Sequence, residues 1–137
     1  MSDVSNAALV RRYLQEAWAN GNLDAIAELV APEIFVFYPV MDEPAVGYDA
    51  VRKLLAGHHA TFSVRSLAVD DLIVAGNQVV ARWTQRVSHV GTLLNIAPSG
   101  MELSFTGITI FRIARDLVVE ERGEENFWGI ARQIGAA

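Results

Sequence analysis

The stretch Gln78–Val90, QVVARWTQRVSHV, decides how this chain is read. It is valine-rich, holds a tryptophan and a threonine, and lacks glycine and proline, so it predicts one long β-strand. Side chains on a strand change face at every residue. One face then carries Val80, Arg82, Thr84, Arg86 and Ser88, and the other Ala81, Trp83, Gln85, Val87 and His89. The two arginines mark the first face as solvated. Trp83 and Val87 turn the second inward and take Gln85 and His89 with them. Such polar groups need a partner or a ligand, because an unsatisfied buried polar group costs about 1–3 kcal/mol.

Working outward, the neighbouring segments supply the fold class. Upstream, Ser5–Ala19 has helical apolar spacing, with Asp3 or Ser5 as cap and Asn20-Gly21 as stop. Leu23–Val30 is a second, short helix ending before Pro32, and IFVFYPV is a strand closed by Pro39. Tyr48–Phe62 returns to helical period, with Val51, Leu54, Leu55 and His58 on one stripe. Strands follow over Val64–Val74, Gln78–Val90, Met101–Ala114 and Leu117–Glu125, with turns at Gly76-Asn77 and Arg115-Asp116. Helices first and an antiparallel meander afterwards predict an α+β fold with helices on one face of a curved sheet.

The same alternation sorts the later strands. Phe105, Gly107, Thr109 and Phe111 oppose Thr106, Ile108, Ile110 and Arg112, and both sets are apolar. In the last strand Glu120, Arg122 and Glu124 share one side, while Val119, Glu121, Gly123 and Glu125 share the other. Glu120 and Glu124 are placed to pair with Arg82, Arg86 or Arg112, for about 0–1 kcal/mol each if exposed. Glu121 goes inward.

Composition narrows the function. The 137 residues carry a net charge of -5, with 52% hydrophobic and 20% charged residues. That is a single globular domain over residues 1–137, long enough to bury a core and leave a cavity. The scattered basic residues offer no stripe for nucleic acid. The absence of cysteine excludes disulfides and thiolate nucleophiles. No signal pattern or membrane-length apolar run appears, which predicts a cytoplasmic protein without a membrane partner. His58-His59 cannot chelate one metal from adjacent helix positions, and no other cluster has zinc-like spacing, so no metal and no cofactor are expected.

Four segments, EAWANGNLDAIAELVAPE, GYDAVRKLLAGHHATF, HVGTLLNIAPSG and FRIARDLVVEE…FWGIARQIG, resemble the SnoaL-like polyketide cyclases. These are a branch of the nuclear-transport-factor-2-like superfamily that also holds the ketosteroid isomerases. The resemblance spans about Val10 to Gly135. It implies a cone-shaped α+β barrel, a curved antiparallel sheet wrapped on N-terminal helices around an apolar pocket, commonly as a homodimer. It also implies that the cyclase acid/base positions are Gly123 and Thr109, where the usual aspartate and histidine are missing. The isomerase base would fall on Tyr38, and the isomerase tyrosine on Leu14, with Tyr13 one residue out of register.

The candidate catalytic residues are Glu121 and His89. A carboxyl in an apolar cavity has its charged form disfavoured and becomes a useful base or acid near neutral pH. Glu121 either does this, or points to the cone's open mouth, or bonds a backbone group. His89 either moves protons or ties down the following loop. Trp18, Tyr38, Trp83, Gln85, Thr109 and Trp128 are the substrate-binding candidates; Trp18 and Trp128 sit where large aromatics more often belong to the core. Together they predict a cofactor-independent enzyme that cyclises or isomerises an apolar, carbonyl-bearing molecule by proton transfer. The alternative is a non-catalytic carrier on the same fold.

Overall fold

The computed structural model describes residues 3–136. Helix α1, Asp3–Tyr13, runs directly into a wider π turn at Leu14–Ala19, closed by an i→i+5 bond from Asn20 N to Gln15 O of 2.9 Å. The helix already includes Asp3, so Ser5 lies inside it rather than capping it. Gly21 ends it in the left-handed region at φ 68°. A 3-10 turn at Leu23–Ala25 and α2, Ile26–Leu29, lead into β1, Val30–Phe37, and a short β2, Ala45–Val46. Helix α3 spans Tyr48–Thr61, followed by β3 Phe62–Ala75, β4 Gln78–His89, β5 Glu102–Ala114, β6 Leu117–Glu125 and α4 Phe127–Gln133.

The six strands form one curved sheet in the order β2-β1-β6-β5-β4-β3. The meander from β3 to β6 is antiparallel as expected. One pairing departs from it: β1 runs parallel to β6. Burial alternates along β4 and β5, which resolves the ambiguous face of β5 in favour of Phe105, Gly107, Thr109 and Phe111 as the inner set. In β6 a bulge at Val119, where Ile113 opposes Val118 and Arg112 opposes Glu120, resets the alternation. Val118 and Glu121 therefore both point inward, three residues apart.

Onto the concave face pack Val10, Tyr13, Leu14 and Ala17 from the first helix, Ile26 and Leu29 from α2, and Val51 and Leu55 from α3. Each large apolar side chain buried there contributes roughly 1.5–3 kcal/mol. On the convex face Arg82 pairs with Asp71 at 2.7 Å, and Glu120 with Arg122 at 3.2 Å and Arg112 at 3.9 Å. These exposed pairs contribute about 0–1 kcal/mol each. Among the described residues no helix is long and apolar enough to cross a membrane.

Candidate active site

Glu121 lies in the middle of β6 with no solvent contact. Its two oxygens each accept a phenolic hydrogen bond of 2.5 Å, Oε1 from Tyr13 and Oε2 from Tyr38. The Tyr38 hydroxyl also meets Thr109 Oγ1 at 2.9 Å, and Trp83 Nε1 donates to that same oxygen at 3.0 Å. Five segments, α1, the residue after β1, β4, β5 and β6, thus converge on one polar chain within an apolar core. Burial drives the Glu121 carboxyl up to about 7, against the pull of the Tyr13, Tyr38 and Trp18 donors; Glu125 adds to the rise. The Trp18 indole nitrogen makes no hydrogen bond of normal geometry, but its N–H helps to hold the charge. Burial and then the Glu121 charge raise both phenols well above their ordinary range.

Local structure explains how these groups meet. The π turn widens the end of the first helix by one residue, so counting back from Gly21 at helical pitch places Leu14 where Tyr13 stands. Tyr13 is therefore the inward tyrosine, and Leu14 lines a recess beside it. Tyr38 follows β1 and crosses the sheet over Gly123. A Cβ on Gly123 would run into the Tyr38 ring and come within 2.8 Å of Thr109 Oγ1. Trp83 crosses Gly107 in the same way. Two glycines opposite aromatic rings let the sheet hold its polar chain close to the backbone.

Next to this chain lies a cavity of about 320 Å³, within the range of small-molecule sites. Its walls are Met41, Leu54, Phe62 and Leu93 with Trp18 and Tyr38, and its polar margin is Lys53, His58 and Glu125. Inward it narrows to a recess of about 10 Å³ among Leu14, Leu67, Trp83 and Gln85, with room for about one water. Gln85 Oε1 meets His58 Nε2 at 3.1 Å. Burial holds the His58 imidazole down, to about 4, so it is neutral at pH 7 and donates to Gln85. Burial also takes the half-buried Glu125 carboxyl up to about 7.

A family model of the SnoaL-like polyketide cyclases matches residues 8–134. The chain belongs to that family. TsrD from Streptomyces laurentii shares 28% identity at a TM-score of 0.85, over 100% of this chain and 99% of that one. A proposed SnoaL-like polyketide cyclase from Jannaschia sp. CCS1 shares 22% at 0.87, over 98% and 94%. The proposed polyketide cyclase IdmH from Streptomyces antibioticus shares 21% at 0.81, over 95% and 98%. The last two likenesses show the fold alone. A search of curated protein sequences found no match.

In this SnoaL-like chain the structure gathers Trp18, Tyr38, Trp83 and Gln85 around the cavity and its recess. Thr109 and Glu121 point the same way but are sealed behind Tyr38, with no exposed surface. Glu121 therefore bonds side chains, not the backbone at a mouth, and touches no cavity. His89 is fully buried, and its Nδ1 meets Ser99 Oγ at 2.9 Å, which ties β4 to the following loop. Its Nε2 has no partner among the described residues. Trp128 corrects the sequence reading most clearly: it is 64% exposed on α4, neither core aromatic nor cavity wall. The capped first turn of α4, with Asn126 accepting from Gly129 N, turns it outward.

Two residues of the site escaped the sequence reading. Glu125 shares its strand face with Glu121 and Gly123, a signal that was available in the alternation. His58 sat on the apolar stripe of α3, where it reads as packing. Both histidines of the pair are in fact packed: His58 against Trp18 and Phe62, and His59 with its Nε2 3.1 Å from Ala17 O. Among the described residues no group of His, Asp and Glu is arranged to hold a metal.

Proposed function

We propose that this protein is a cofactor-independent enzyme that enolises an apolar, carbonyl-bearing molecule, as a step of aldol cyclisation or isomerisation. One observation carries the reading. Tyr38, at the wall of an apolar cavity, is backed by a fully buried carboxyl with a pKa near 7. When Glu121 holds a proton it donates to the Tyr38 oxygen, and the Tyr38 hydroxyl is released to donate to a carbonyl oxygen in the cavity. Negative charge developing on that oxygen is then stabilised by a donor already in place. Glu121 acts here through Tyr38, as a relay. Gln85, its carbonyl engaged by His58, keeps its amide N–H groups for the same ligand. His89 holds the loop and does not touch substrate. Family membership supports the cyclase or isomerase class over a carrier. The exposed Ile108 and Ile110 on the convex face support a homodimer through the sheet.

The test follows the α-protons of 2-tetralone, an apolar bicyclic ketone, by proton NMR in D2O. The wild-type protein is expected to accelerate their exchange, and Tyr38→Phe to lower that rate by about 10²-fold, as loss of one oxyanion donor does. Binding of the ketone with no exchange above buffer would show a carrier and end this reading.

A further inference from the structure

The proposed enolisation needs a group that takes the proton from carbon, and the polar chain does not supply one. Glu121 and Thr109 have no exposed surface, and the Tyr38 phenol is held protonated far above neutral pH. The place on β6 nearest Tyr38 is closed as well. Gly123 has its side-chain space filled by the Tyr38 ring, so no carboxyl at that position fits this structure. One residue pair further along the same face stands Glu125. It lines the cavity with Tyr38 and His58, and it borders the inner recess with Trp83 and Gln85. Among the described residues its side chain makes no hydrogen bond or ion pair, while its backbone stays in the β5–β6 ladder. Arg82, which borders a surface depression beside it, is committed to Asp71 at 2.7 Å.

Resting on the proposed enolisation, we infer that Glu125 is the catalytic base of this site, the cavity-facing carboxylate that Tyr38 leaves room for when it covers Gly123. The Glu125 carboxylate takes the α-proton of the bound ketone. The C–H electron pair becomes the new C=C bond, the carbonyl π pair moves onto oxygen, and Tyr38 donates its hydrogen bond to that oxygen. Return of the proton from Glu125 to carbon completes exchange or isomerisation, with no oxidant or reductant involved. A base serves best with a pKa near the working pH, and burial brings Glu125 to about 7. The titratable groups around it are Glu121 on its own strand, Tyr38 after β1, Lys53 and His58 on α3, and Arg82 on β4. His58 is neutral at that pH, so the charged neighbours of Glu125 are Glu121, Lys53 and Arg82.

The 2-tetralone exchange assay tests this with three proteins and one binding control. Wild-type exchange should rise with pH through an inflection near 7 as Glu125 ionises, and fall again as Glu121 loses the proton that frees the Tyr38 hydroxyl. Glu125→Gln, nearly isosteric and breaking no hydrogen bond of the fold, should lose roughly 10²-fold or more in rate and lose that inflection. Tyr38→Phe should be slower than wild type yet keep the inflection. Fluorescence titration with 2-naphthol, an enol-shaped ligand, should give Glu125→Gln the wild-type affinity within about threefold, under 1 kcal/mol. A Glu125→Gln protein that exchanges within twofold of an active wild type overturns the inference and leaves the proposed enolisation standing. Loss of 2-naphthol binding in that variant also overturns it, since Glu125 would then hold ligand or fold. A wild type without exchange ends both.

Discussion

A carboxyl sealed from water holds its proton more tightly unless donors stabilise the charge, and at Glu121 burial outweighs the donors and brings the group to about 7. That balance has a measurable consequence for stability. The folded carboxyl sits near 7 against an ordinary 4.5, so between those values the native protein binds more protons than the unfolded chain. Stability then falls as pH rises through the window, by on the order of 3 kcal/mol in full. His58 works in the opposite sense: held down to about 4 from 6.5, it lends stability above 6.5 that is lost as pH falls toward 4. Glu125, also raised to about 7, acts in the same sense as Glu121, and comparing wild type with Glu121→Gln isolates the share that belongs to Glu121. Urea unfolding from pH 4.5 to 7.5 should show the wild type losing about 2–3 kcal/mol more than the variant. Parallel curves would mean that the buried group titrates no differently when folded. The inward direction of Glu121 was readable from strand alternation; its closure behind Tyr38 was not, because Tyr38 comes from a segment 83 residues away.

At the scale of elements, the end of the first helix does the most to shape the site. The π turn brings Trp18 to the cavity and Tyr13 to Glu121, and Gly21 ends it in a conformation that L side chains avoid. A Cβ on Gly21 would also approach the His59 ring to 3.1 Å, and that ring is held by its contact with Ala17 O. Gly21→Ala should therefore cost about 1–2 kcal/mol in urea unfolding, from backbone strain together with crowding. Gly76→Ala provides the control: its φ of 59° is equally left-handed, but nothing lies within 4 Å of the added carbon. It should cost only the backbone part, about 1 kcal/mol. Equal losses at the two sites would show that the His59 ring gives way freely. The helix and its glycine stop were legible from periodicity. The extra residue of the π turn was not, since it changes the winding of the helix without changing its apolar spacing.

For the whole molecule, the decisive property is that helices and sheet leave a hollow instead of filling it. Trp18, Tyr38, Leu54, Phe62 and Leu93 meet around it from five parts of the chain. A ligand that binds only the folded state raises its stability by mass action. Saturating 2-naphthol should therefore raise the melting temperature of the wild type by a few degrees, at about 2–3 kcal/mol for a ligand a hundredfold above its Kd. Leu54→Trp puts an indole into the hollow from a half-buried helix position. It should keep the unliganded melting temperature within a few degrees and abolish the shift. A shift that survives would place the ligand elsewhere on the protein.

The sequence by itself determined the order of the main helices and strands, the α+β class, the inner face of β4, the inward direction of Glu121 and the family, because periodicity and turn residues act locally and are written in neighbouring positions. Only the tertiary structure decided that β1 joins β6 in parallel, that Tyr38 overlies Gly123, that Trp128 faces outward, and that Glu125 rather than Glu121 meets the hollow. Strand alternation gives a side chain's direction, whereas contact with a cavity depends on what other segments place in front of it. That is a matter of packing between residues far apart in the chain, and no local pattern contains it.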